Sequence, residues 1–112
     1  EEGFIKNVEA DQAYMMQTAR FLEKLKSTET NAGGNLLDQT VCLITSSLSI
    51  SKEEGPHGCK NNPVVVAGGG FQHGHHIKFN GSDNRNNVYL AALQHLGLEI
   101  ESFATSSASA KL

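Results

Sequence analysis

Residues 39–70, QTVCLITSSLSISKEEGPHGCKNNPVVVAGGG, decide how this chain is read. Residues 40–45 and 63–67 are β-branched, apolar runs without alternation. That pattern suits strands covered on both faces, as in parallel or mixed sheets. Pro63 is tolerated at the first position of the second strand, and Gly68-Gly69-Gly70 reverses the chain behind it. The polar stretch 46–62 between the runs reads as a long loop of the kind that carries function. The C-terminal ends of the two strands are expected to converge on Ser46-Ser47-Leu48-Ser49 and on His57-Gly58. Ligands of open α/β sheets sit just outside the carboxyl ends of the strands, which makes His57 the first candidate site residue.

Outward from this centre, residues 7–27 carry the clearest helical pattern. Val8, Met15 and Leu22 repeat on one stripe with Ala19 and Leu25, and Tyr14 and Phe21 widen it. Asn7 is placed to cap the first turn, and Lys24 and Lys26 suit the negative end of the helix dipole. Residues 29–35, with Gly33-Gly34, form a polar connector. On the other side, residues 72–79 read as a short hairpin or edge strand, and 80–84 as a turn with Ser82 or Asp83 as N-cap. A second helix follows over 85–96, with Val88, Tyr89, Ala92, Leu93 and Leu96 on its apolar side and Gly97 as its left-handed terminator. Residues 104–112 make a small, polar tail expected to be loose. The order is α-β-β-β-α, and the expected class is α/β: one domain over 1–103, or a piece of a larger one, from a layered mixed sheet flanked by helices.

Composition narrows the partners. The chain has 112 residues and a formal charge of −3 with acids and bases interleaved, so it lacks the electrostatic footprint of a nucleic-acid binder. Arg20, Lys24 and Lys26 are the wet face of a helix. No apolar run approaches the ~20 residues that span a bilayer. The start, EEGFIKN, has neither the basic nor the apolar region of a signal peptide and no initiator Met. A processed product or a fragment is therefore expected. Cys42 and Cys59 permit one disulfide, but their spacing matches no zinc or redox motif. A buried, inert Cys42 is the simpler reading. Ala110-Lys111-Leu112 is similar to a peroxisomal address of the Ser-Lys-Leu type, an alternative destination that matters only in a eukaryote.

Four segments in order, RFLEKLKSTET, NLLDQTVCLITSSLS, HGCKNNPVVVAGGG and NNVYLAALQHLGLEIESF, resemble the C-terminal part of a bacterial exported family defined by an HXXSHH motif and of unknown function. The resemblance spans residues 7–103, whereas members are several times longer and carry the HXXSHH motif upstream. That family in turn resembles the alkaline-phosphatase-like superfamily of metal-assisted phosphatases and sulfatases. The resemblance implies an alkaline-phosphatase-like sheet, export to the periplasm, and a divalent metal such as zinc near His57. It also implies a partner, either the remainder of the polypeptide or a second copy in a homodimer. Superfamily members often end an apolar strand in Asp-His-Gly, where Asp and His bind metal. Here the acidic position falls on Ser47 and the histidine position on Leu48, a neutral hydroxyl and a side chain without a donor.

The remaining candidates are weighed on chemistry. His57 falls on a metal-ligand position of the resemblance, and is otherwise a solvent-exposed loop histidine. One imidazole does not make the three-ligand open site of a hydrolytic zinc. His73 and His75 alternate on an extended segment and so share a face on which a metal can be held, with His76 pointing away. The family usually has Arg at the place of His75, and a polar edge hairpin is the simpler explanation of the cluster. His95, beside the apolar stripe of the second helix, is a surface or boundary residue. The three glycines lack G-x-G-x-x-G and the Lys-Ser/Thr ending of a phosphate loop. Ser46, Ser47, Ser49 and Ser51 lack a nucleophile elbow, and Glu53 and Glu54 make no evident acid–base pair. No catalytic residue is assigned. The function implied is a segment without catalysis of its own that forms one wall of a degenerate hydrolase-like metal site. The alternatives are part of a metal-dependent phosphatase or sulfatase completed by upstream residues, and a structural or binding subunit.

Overall fold

The computed structural model describes residues 2–51, 55–58, 61–79 and 84–112, with the backbone alone at 2–5, 49–51 and 55–57. The described chain is a mixed α/β structure in the order α1 (Glu2–Ser27), β1 (Val41–Thr45), β2 (Ser49–Ser51), β3 (Gly55–Gly58), β4 (Val64–Gly68) and α2 (Asn86–His95). It divides into two compact units, Glu1–Thr40 and Val41–Leu112. Among the described residues, no helix is long and apolar enough to cross a membrane.

The first unit is α1 and the loop behind it. The helix is 26 residues long and begins at Glu2, so Asn7 lies in its interior rather than at its cap. Within the expected stripe Leu22 and Leu25 are half-buried, while Val8, Tyr14, Met15 and Phe21 are exposed. The connector folds back on the helix end: Leu36 N–H donates to Thr28 O (2.8 Å) and Leu37 N–H to Leu25 O (3.3 Å). Asn35 closes a local turn, accepting the Asp38 N–H at Oδ1 (3.0 Å) and donating from Nδ2 to Asp38 Oδ2 (2.7 Å).

In the second unit β1 and β4 pair antiparallel, with Val41 opposite Gly68 and Thr45 opposite Val64. This pair is antiparallel, which a mixed sheet accommodates and a wholly parallel one does not. Unbroken apolar runs report that both faces of a strand are at least partly covered, which holds here because β1 is half-buried from Val41 to Ile44. They carry no information on strand direction. The pairing has a direct consequence for the expected site: the carboxyl ends of β1 and β4 lie at opposite ends of the pair instead of converging.

The stretch 46–62 is not loop throughout. Its β2 and β3 form a second antiparallel pair, Ser49 opposite Gly58 and Ser51 opposite Gly55, with an irregularity between them. Residues 72–79 form no strand. The Ser82 or Asp83 cap and Cys59 fall outside the described residues; Cys42 is half-buried on β1 with a free thiol.

At the start of α2, Asn84 caps the helix. Its Oδ1 accepts the Asn86 N–H (2.9 Å) and its carbonyl accepts the Asn87 N–H (2.8 Å). At the other end Gly97, with φ of 88°, closes a Schellman turn: its N–H donates to Gln94 O (2.9 Å) and Leu98 N–H to Leu93 O (3.1 Å). The buried face of α2 carries Asn87, Val88, Leu90, Ala91 and Ala92. It is rotated from the expected Val88–Tyr89–Ala92–Leu93–Leu96 face, leaving Leu96 exposed. Asn87 is buried on this face, and Tyr89 stands edge-on to Phe103 with ring centroids 6.3 Å apart. Val88, Leu90, Ala91 and Ala92 are the buried hydrophobic residues among those described.

The turn after β4 tests this geometry. Gly69 has φ of 64°, and a Cβ there would stand 2.5 Å from Val41 Cγ2, whereas a Cβ at Gly70, with φ of 76°, would meet nothing. Both substitutions to alanine carry the left-handed backbone cost of about 1 kcal/mol, and Gly69→Ala adds roughly 1–3 kcal/mol of overpacking. Chemical denaturation is expected to rank Gly69→Ala clearly below Gly70→Ala in stability.

Candidate functional site

The end of β1 is where the resemblance places its chemistry. Thr45 Oγ1 donates to Pro63 O (2.9 Å), pinning the strand end to the residue before β4. Ser46 Oγ donates to Leu48 O (2.6 Å), closing the Ser46–Ser47–Leu48 turn. Arg85, one residue ahead of α2, reaches across: its Nη1 donates to Ser46 O (2.6 Å), with Thr45 Oγ1 at 3.4 Å. The guanidinium also lies 5.9 Å from the centroid of the Tyr89 ring. This turn is thus held by a cation bonded to a backbone carbonyl.

His57 belongs to β3, whose last residue, Gly58, pairs with Ser49 immediately after this turn. The topology therefore brings the His57 backbone to the same end of the β1–β4 pair as Ser47 and Leu48. Its side chain lies outside the described residues. The residues present at the implied metal position do not fit a divalent cation. Ser47 offers a neutral hydroxyl, and Leu48 is an exposed alkyl group. Among the described residues, no group of three His, Cys, Asp or Glu side chains is arranged to hold a metal ion.

The histidines of residues 73–76 sit elsewhere. They follow Gly68 at the far end of β4, away from His57. The Gly68 N–H donates to His73 Nε2 (3.1 Å), and the Gly68 carbonyl lies 3.2 Å from the same nitrogen. That contact occupies Nε2 and leaves Nδ1 as the ring nitrogen open to another partner. His75 and His76 are exposed. His73 keeps one ring nitrogen beside this backbone contact, and among the described residues no third His, Cys, Asp or Glu joins it and His75.

His95 is more than a boundary residue. It stacks on Phe71, with ring centroids 3.9 Å apart and planes 26° apart, and its Nε2 bonds the Gly69 carbonyl. Arg85 and His95 thus tie the two ends of α2 to the two ends of the β1–β4 pair. The lengths match: ten helical residues rise about 15 Å and five strand residues about 17 Å. Sequence reasoning missed Arg85, Asn84 and Asn87. The polar run Asn84-Arg85-Asn86-Asn87 directly ahead of the apolar helix residues was the available signal.

These assignments separate a structural histidine from a solvent one. His73→Ala is expected to cost about 0.5–1.5 kcal/mol through the lost bond to Gly68. His75→Ala is expected to stay within about 0.5 kcal/mol of the parent. Equilibrium unfolding checks both; equal losses would contradict the placement. No protein-family model matches the chain, no curated protein matches it and no solved structure matches it.

Proposed function

We propose that this chain is an architectural segment of an HXXSHH-type exported protein, without catalysis of its own, that forms one wall of a degenerate hydrolase-like site. The rest of its polypeptide, or a second copy, covers its apolar surface. The observation that carries this reading is the balance of burial. In the second unit Val88, Leu90, Ala91 and Ala92 are buried, while Leu48, Val65, Ile77, Phe79, Leu96, Leu98 and Phe103 are each at least 40 % exposed. Single exposed apolar residues are ordinary; among the described residues of this unit the large exposed ones outnumber the fully buried set. An alkaline-phosphatase-like sheet would extend the β1–β4 pair with strands from elsewhere and bury these residues.

Ser47 and Leu48 support the loss of chemistry, since neither supplies the charge or the donor that a hydrolytic metal requires. A second reading is kept alive by one observation: β3 brings the His57 backbone to the end of the sheet that carries Ser47 and Leu48. On that reading His57 is one ligand of a phosphatase or sulfatase metal, such as zinc, and the others come from residues outside this chain.

Native mass spectrometry of the chain distinguishes these readings in one experiment. The expected result is a dimer or larger assembly without stoichiometric metal. A monodisperse monomer with a cooperative unfolding transition would remove the architectural reading. In the intact polypeptide, which would supply the other ligands, one zinc lost on His57→Ala would support the metal reading in its place.

A further inference from the structure

Residues 103–110 are read by three asparagines at the start of α2. Asn87, only 4 % exposed, accepts the Ser107 N–H at Oδ1 (2.9 Å), with the Ala108 N–H at 3.4 Å from the same oxygen. Its Nδ2 donates to Ser107 Oγ (3.4 Å), and its own carbonyl accepts the Ala110 N–H (3.0 Å). Asn84 Nδ2 donates to the Thr105 carbonyl (2.9 Å) and to Thr105 Oγ1 (2.7 Å), and Asn86 Nδ2 donates to the same hydroxyl (2.8 Å). Most of these bonds go to main-chain atoms and small side chains, which is how a protein reads an extended peptide. A buried amide such as Asn87 needs such partners, because leaving it unpaired is costly.

Asn84 works in two directions. Its Nδ2 holds Thr105, while its Oδ1 caps the first turn of α2 through the Asn86 N–H. The next residue, Arg85, grips Ser46 O at the end of β1. Residues 105–110 are held by polar bonds and Phe103 by the edge-on Tyr89 ring; residues 103–105 are exposed, and Ala104 carries a positive φ of 51°, a left-handed backbone costly for a residue with a side chain. We propose that residues 103–110 form a releasable strap that controls the turn after β1. Docked, the strap fixes Asn84 and so sets Arg85 on the Ser46 carbonyl. Released, it uncovers the Asn87 amide and frees the Ser46–Ser47–Leu48 turn. This holds whether or not the proposed family reading survives.

Amide exchange and resonance positions, measured by NMR on the full chain, test the strap. In the parent, the Ser107 and Ala110 amides are expected to be protected. Thr105→Val removes the shared acceptor from the strap side and leaves α2 untouched. It is expected to speed exchange at Ser107 and Ala110 about tenfold and to shift or broaden the Ser47 and Leu48 amide signals. Asn86→Ala, which spares the cap, is expected to move the same signals in the same direction by less, and it decides the question should Thr105→Val not fold. Unprotected Ser107 and Ala110 amides in the parent would overturn the strap. Faster strap exchange with unmoved Ser47 and Leu48 signals would overturn its control of the turn.

Discussion

Side chains of α2 and its N-terminal flank that bond to backbone atoms of other segments hold the second unit together. Arg85 takes the Ser46 carbonyl at the end of β1, His95 takes the Gly69 carbonyl beyond β4, and Asn87 takes the Ser107 and Ala108 N–H groups. The apolar contribution at this centre is small, because two of its four buried hydrophobic residues are alanines. Fully burying a Val or Leu side chain contributes about 1.5–3 kcal/mol, and a hydrogen bond to a charged group contributes roughly the same. The ties from α2 add to this core and join the helix to both strands. They also fix the helix direction: the N-terminus of α2 meets the end of β1, and its C-terminus meets the end of β4.

Much of this was legible in the residues. Both helices and both apolar strands stand within a few residues of where periodicity and composition put them, and Gly97 terminates α2 as expected. What failed did so for identifiable reasons. Strand direction is invisible in a continuous apolar run, so the antiparallel register of Val41 with Gly68 had no local signature. The β2–β3 pair lies in a stretch of Ser, Gly and Pro that carries no alternating apolar pattern. The buried face of α2 could not be placed from hydrophobicity, since it includes Asn87, a polar residue whose partners are twenty residues away. The same long-range bonding makes residues 105–110 more engaged than their small, polar composition suggests.

Of the candidate site, the residue types were legible in the sequence and the backbone placement was not. His57, Ser47 and Leu48 were singled out from the resemblance, and the topology places them at one end of the β1–β4 pair. His73 and His75 were grouped as co-ligands; they lie at the other end, where His73 Nε2 contacts the Gly68 backbone. The difference follows from a single fact, the antiparallel pairing, which sends the two strand ends in opposite directions. Arg85 went unnoticed because its partner, the Ser46 carbonyl, belongs to a backbone position 39 residues earlier.

The centrality of α2 is open to direct measurement by native-state hydrogen exchange across a denaturant series. If α2 is the centre on which the second unit depends, the amides of Leu90, Ala91, Ala92 and Leu93 open only with global unfolding of that unit, and β1 and β4 open no later. Amides of β1 or β4 that stay protected after those of α2 have exchanged would contradict the account.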